Sequence, residues 1–244
     1  MKRSTLLKVL AASALPLGAA AAYAGFVRPW HLRWGASDEE LTEPLPGDEI
    51  MPDAEIQVTH AITVNAPASE MWKWLLQIGQ GRGGFYSYDE IENLFGLDIH
   101  NLEEIRAELQ QLKVGDFIRS APTQWLGGRF RDVTGWFVVG IESERYLVLS
   151  DEIEHGSWAF VLQPAGEGTT RLIARVRGPG RTTFVGKLLH YTLFEPAHFV
   201  MERKMLLTLK RLSEMSHAAD KNKLGAVRAR RGDGRSDVAA AAVV

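Results

Sequence analysis

Apolar and polar residues alternate from Gln57 to Val64, with Val58, Ile62 and Val64 on one side, and this period of two predicts a strand. At Ala66-Pro67 the period changes. Pro67 suits a helix start, Ser69 and Glu70 its first turn, and Met71, Trp72, Leu75, Leu76 and Ile78 supply one apolar stripe. Short helices are expected over Tyr88–Phe95 and Leu102–Leu112, closed by Gly96 and Gly115. The period then returns to two over Asp116–Ala121, Val133–Glu142, Arg145–Ser150, Ser157–Gln163 and Thr169–Arg177. Connections this short cannot serve as parallel crossovers, so neighbouring strands should be antiparallel. From Thr183 to Ser216 the apolar residues, among them Leu188, Leu193, Phe199, Met205 and Leu209, take helical spacing, which Pro196 should kink or break.

A strand, a pair of helices, a run of antiparallel strands and a long closing helix describe an α+β fold with a curved sheet wrapped around its C-terminal helix. A twisted sheet cannot meet one helix tightly along its whole length, so the space between must hold side chains or a guest.

The ends read differently. Met1-Lys2-Arg3 and Lys8 precede an uncharged, alanine-rich run from Val9 to Val27, so residues 1–27 form a membrane anchor or a signal segment. Ala22-Tyr23-Ala24 suits signal cleavage, whereas Trp30 and Trp34 suit the headgroup layer beside a retained anchor. Lys2, Arg3 and Lys8 against Arg28 and Arg33 place the main domain on the extracytoplasmic side. Residues 28–56 form an acidic, proline-containing connector with no long element, and a domain over 57–216 precedes a tail over 217–244 that is expected to be disordered.

Composition narrows the chemistry. The balance of 28 basic against 30 acidic residues gives −2, so no nucleic-acid partner is expected. With zero cysteines there are no disulfides, thiolate metal sites or cysteine nucleophiles. His60, His100, His155, His190, His198 and His217 are scattered without metal spacing, and Pro196 interrupts the His190, Glu195, His198 neighbourhood, so neither metal nor cofactor is expected. Gly79-Gln80-Gly81-Arg82-Gly83-Gly84 satisfies a dinucleotide fingerprint, but it follows a helix instead of a strand, which removes the phosphate argument.

That glycine loop gathers Arg82, Tyr86 and Tyr88. Arg82 can offer a fork to a ligand oxygen or pair internally with Asp89 or Glu92. Tyr86, Tyr88, Trp125, Trp136 and Trp158 each join an apolar body to one polar tip, which suits either ligand walls or plain core packing. For acid–base chemistry the candidates are Asp98 and His100, with helix capping as the competing role of Asp98. Arg171, Arg175 and Arg177 share one face of their strand and are expected to face water, leaving Leu172, Ala174 and Val176 for the core.

Over residues 28 to about 215 the chain resembles the SRPBCC superfamily of START-like and polyketide-cyclase-like domains, and in particular bacterial members that follow an N-terminal apolar segment. The resemblance rests on Arg28-Pro29-Trp30-His31-Leu32-Arg33-Trp34-Gly35-Ala36, Leu45-Pro46-Gly47-Asp48, Trp72–Arg82, Gly84–Tyr88, Glu92-Asn93-Leu94, Asp98-Ile99-His100, Val114-Gly115-Asp116 and Ser157-Trp158-Ala159-Phe160. It implies a helix-grip fold and a hydrophobic small-molecule partner such as a lipid, isoprenoid or polyketide. Carriage of such a ligand is the leading expectation; a cyclase or hydratase acting on it and an interaction module with a filled core are the alternatives.

Overall fold

The computed structural model describes residue 18 and residues 21–129, 134–151, 153 and 155–240, with the side chains of 224–240 excepted. Residues 1–17, 19 and 20, which hold most of the anchor or signal segment, lie outside the described residues. Among the described residues, no helix is long and apolar enough to cross a membrane.

A wide π turn at Tyr23–Val27 runs into α1 (Arg28–Leu32), followed by α2 (Asp38–Thr42). Next come β1 (Ile56–Val64), α3 (Ala68–Leu76), α4 (Asp89–Leu94) and the strands β2 (Phe117–Arg119), β3 (Gly135–Glu142), β4 (Tyr146–Ser150), β5 (Ser157–Gly166) and β6 (Thr169–Gly178). The chain closes with α5 (Phe184–Leu189), a π turn at His190–Phe194 and α6 (Glu195–Ala240), so the backbone stays helical past Ser216. All six strands form one antiparallel sheet in the order β1-β6-β5-β4-β3-β2.

The inner face of the sheet and the first turns of α6 share one core. Val64, Phe160, Leu162, Leu172 and Ala174 from the sheet meet Met71, Trp74 and Leu75 of α3 and Met205, Leu206, Leu209 and Leu212 of α6. The helix-grip arrangement follows directly.

The outer face is apolar as well, which overturns the expectation that it meets water. Ala61, Val148, Ala159, Val161 and Ile173 form a second cluster under Leu45, with Ala36 and Ile50 packed on it. The three β6 arginines point outward as their alternation requires, yet the acidic segment covers them. Arg171 holds Glu40 through two bonds of 2.6 and 2.7 Å. Arg175, only 2% exposed, meets Asp48 at 2.6 Å, and Arg177 donates to the carbonyls of Met51 and Pro52. Residues 35–56 are therefore a lid on the sheet. Their acidity is the complement of that arginine row, and the sequence reading misses it because the partners lie more than 100 residues apart.

Two further differences have local causes. Leu102–Leu112 forms only a short 3-10 turn at Ala107–Leu109, because its backbone is committed to tertiary bonds: Leu102 N–H donates to Gly83 O, Gln77 Nε2 donates to Glu104 O, and Arg82 donates to Leu109 O. Before Pro196 the α-helix is interrupted by a wider π turn. Proline has no N–H for the Tyr191 carbonyl five residues back, and the Tyr23 hydroxyl donates to that oxygen at 3.1 Å instead.

Candidate functional site

A partly open cavity of about 940 Å³ lies between α4 with the loop before it, the sheet, and the start of the C-terminal helix. Phe85, Ile91, Phe95, Leu97 and Ile99 form one wall, Trp136 and Trp158 the sheet wall, and Leu193, Pro196, Met201 and Met205 the helix wall. The aromatic wall is continuous. Phe85 and Trp136 sit 5.8 Å apart edge to face, Trp136 and Trp158 5.2 Å apart, and Trp158 and Phe160 4.8 Å apart. A cavity of this size with apolar walls and few polar groups is typical of a small-molecule site.

The ionisable groups of the lining fall into two stations. On the α4 wall, Ser87 Oγ donates to Glu92 Oε1 at 2.5 Å, while Glu92 Oε2 is buried with no hydrogen-bond partner. Burial pushes the Glu92 carboxyl up, Asp89 adds to that push, and the Ser87 bond opposes it. The other station is on the helix wall, where Glu202 is 1% exposed. One carboxylate oxygen accepts from Trp158 Nε1 at 2.7 Å, and the other contacts His60 Nδ1 and lies 3.5 Å from His198 Nε2. Burial alone would raise the Glu202 carboxyl; His198 and His60 outweigh it and hold Glu202 well below the usual carboxylate range. Burial likewise works against a charged His198, and the Glu202 carboxylate overcomes it, so His198 is raised.

The proton count at His60 follows from its bonds. Its Nε2 lies 2.7 Å from the His31 carbonyl, which can only accept, so Nε2 carries a hydrogen. The contact between Nδ1 and Glu202 then requires one further proton, and the His60–Glu202 pair is neutral as a unit wherever that proton sits.

A second, more polar hollow of about 240 Å³ adjoins this station, with Asp151, Ser157, Arg177, Arg181 and His190 in its lining. Trp136, Trp158 and His198 line both spaces. Just beyond, Arg28 clamps the buried Glu195 through bonds of 2.9 and 3.0 Å, tying α1 to the start of α6. Among the described residues, no group of acidic and histidine side chains could hold a metal ion.

No family model matches the chain, and no curated protein matches it. Solved structures similar to it include a protein of Nitrosomonas europaea, at 15% identity over 68% of this chain and 99% of that one with a TM-score of 0.41. The self-sacrificing resistance protein CalC from Micromonospora echinospora is 12% identical over 66% and 96% of the two chains, with a TM-score of 0.39. A polyketide-cyclase-like protein of Corynebacterium glutamicum is 16% identical over 70% and 97%, with a TM-score of 0.33.

Of the candidates from the sequence, Trp136 and Trp158 line the cavity. The others have different tasks. Arg82 donates to the carbonyls of Leu76 and Ile78 at the end of α3 and to that of Leu109, so neither a ligand nor the suggested Asp89 or Glu92 partner receives it. Tyr86 is fully buried against Trp74, accepts from Gln77 Nε2 at 2.8 Å, and has its hydroxyl pushed up to about 12 by burial. Tyr88 precedes α4, with Lys204 Nζ 5.5 Å over its ring. Trp125 spends its N–H on the Phe95 carbonyl at 2.9 Å, bracing the end of α4 from outside the cavity. Asp98 and His100 bond one another at 3.1 Å on the surface, with 65% and 75% of their side chains exposed. Neither lines the cavity, so this pair, offered from the sequence as an acid–base candidate beside a capping role for Asp98, is not placed to act on a molecule held there.

His60, His198 and Glu202 are the residues that sequence reasoning missed. Two signals were available: His60 shares the inward side of β1 with Val58 and Ile62, and His198 stands one helical turn before Glu202.

Proposed function

We propose that the protein binds, and carries, a hydrophobic small molecule such as a lipid, isoprenoid or polyketide in the cavity between sheet and C-terminal helix. The observation that carries this reading is the chamber itself: about 940 Å³, walled by Phe85, Trp136, Trp158, Met201 and Met205, with few polar groups among its lining. An interaction module with a filled core has no use for such a space. In this reading the apolar N-terminal segment attaches the protein to a membrane, with the domain on the extracytoplasmic side, where a carrier would meet its cargo. Gentle purification of the full chain from its host, native mass spectrometry and organic extraction test it. A stoichiometric retained lipid, isoprenoid or polyketide is the expected result; an empty protein that takes up none of a panel of hydrophobic probes overturns the reading.

One observation favours a second reading, proton-transfer catalysis of the cyclase or hydratase kind. Glu92 and Glu202 line the same cavity, and their surroundings push them in opposite directions, as in sites that pair an acid with a base. Conversion of an extracted ligand by added protein, read as a change in its mass or ring count, separates enzyme from carrier.

A further inference from the structure

We propose that the ligand is an amphipathic monoanion, an apolar body ending in one carboxylate or phosphate, and that its head is held by His198 where the large apolar chamber meets the small polar hollow. This inference rests on the cavity reading above and adds the chemistry of the ligand's polar end.

Three observations lead to it. The first is position: His198, Trp136 and Trp158 line both spaces, so a molecule filling the apolar chamber brings its end to the edge of a hollow that contains Arg177 and Arg181. The second is the orientation of the ring. His198 Nε2 is buried 3.5 Å from Glu202 without a hydrogen bond, yet 34% of the side chain is exposed, so the ring faces Glu202 with one nitrogen while part of it remains open. A carboxylate behind one imidazole nitrogen orients the ring and leaves the other nitrogen as a donor.

The third is charge. Because the His60–Glu202 pair is neutral as a unit, protonation of His198 leaves the cluster one positive charge in excess. The surrounding groups do not cancel it. On the same helix Glu195 is matched by Arg28, and from the sheet Arg177 shares Asp48, 3.8 Å away, with Arg175 and donates to the carbonyls of Met51 and Pro52. His190, Arg181 and Asp151 complete the hollow, adding cationic and anionic groups together. Burial pushes the Glu92 carboxyl on the α4 wall up, which weakens its opposition to an anion in the chamber. Glu202 favours the charged form of His198, so the protonated cluster presents a net positive charge beside the apolar chamber, and a single anionic head complements it.

The test compares palmitate, hexadecyl phosphate and hexadecanol, which share one chain and differ at the head. Uptake by the full chain in phosphatidylcholine nanodiscs is read by native mass spectrometry at about pH 6.5, near the ordinary histidine value. The wild type should prefer at least one anion over hexadecanol by about tenfold or more, with the stronger arm distinguishing carboxylate from phosphate. His198→Gln should bring the ratio close to one, His198→Lys should restore part of it, and in the wild type it should fall as pH rises through the titration of His198. Equal uptake of all three by the wild type overturns the anion while leaving the apolar cavity standing. A preference unchanged in His198→Gln, with unfolding temperature confirming the fold, overturns the assignment to His198. Uptake of none of the three overturns the cavity reading and this inference with it.

Discussion

Glu202→Gln should be among the most damaging single substitutions in the molecule. The Glu202 carboxylate is 1% exposed, accepts from Trp158 Nε1 at 2.7 Å, touches His60 Nδ1 and lies 3.5 Å from His198. Glutamine keeps the shape but offers one oxygen where two are used and turns an N–H₂ toward a donor. Breaking a buried, charged network from one side costs about 3–5 kcal/mol, and for a chain of this size each kcal/mol lowers Tm by roughly 2–4 °C. The expected fall is roughly 6–20 °C. Its pH dependence has two limbs of opposite sign. Glu202 is depressed in the folded state, so its contribution is present above the unfolded carboxylate value of about 4.3 and fades as pH falls toward its own lower value. His198 is raised, so its contribution is full below the unfolded value of about 6.5 and is lost as pH rises through the folded one. The penalty should therefore peak between about pH 4.5 and 6.5 and diminish on both sides. Thermal unfolding followed by tryptophan fluorescence across pH measures it. A penalty under about 1 kcal/mol, or one that does not change with pH, would refute the ionised network.

Glu92→Gln should raise Tm at pH 8 and leave it unchanged near pH 4. A raised carboxyl contributes its full stability only below the unfolded value and loses it as pH climbs, while glutamine keeps a partner for Ser87; equal Tm shifts at the two pH values would count against a buried acid. Arg28→Met should strand the buried Glu195 at a cost of about 3 kcal/mol and speed hydrogen exchange in residues 21–32, whereas unchanged exchange there would show that the clamp does not hold α1. Gly84→Ala should cost about 2 kcal/mol or more in chemical denaturation, because Gly84 has φ +77 and a Cβ there would stand 2.9 Å from the His100 carbonyl oxygen; a neutral result would mean that the glycine loop is slack.

The sheet is largely legible in the sequence because its alternation is enforced on two faces at once. In β6, Leu172 and Ala174 fall inward and Arg171, Arg175 and Arg177 outward, as the period of two requires. What the outward residues meet is not legible, since a row of arginines looks the same facing water as facing Glu40 and Asp48. The glycine loop misleads for a related reason. Gly79 and Gly84 pair their backbones with each other at 2.9 and 3.0 Å, and Arg82 closes the end of α3, so the most conspicuous stretch of sequence is a structural knot. Trp136 and Trp158 could be nominated from chemistry alone as large amphipathic rings, but the same rings suit core packing, and only the cavity beside them decides between the two. His60 and Glu202 could not be joined: 142 residues separate them, and only the grip of the sheet on α6 brings them into contact.

The arginine row on β6 also has a mechanical consequence. Arg171 fastens the chain at Gly35 and Glu40, Arg175 at Glu40, Glu43 and Asp48, and Arg177 at Met51 and Pro52, so the polypeptide leading to the N-terminus is bolted down at successive heights across the sheet. It is a strut, not a leash. With α1 fastened in turn to Glu195 beside the cavity, a torque applied at the N-terminal end rotates sheet, helix and chamber as one piece, and the mouth of the cavity keeps a single heading relative to whatever grips that end.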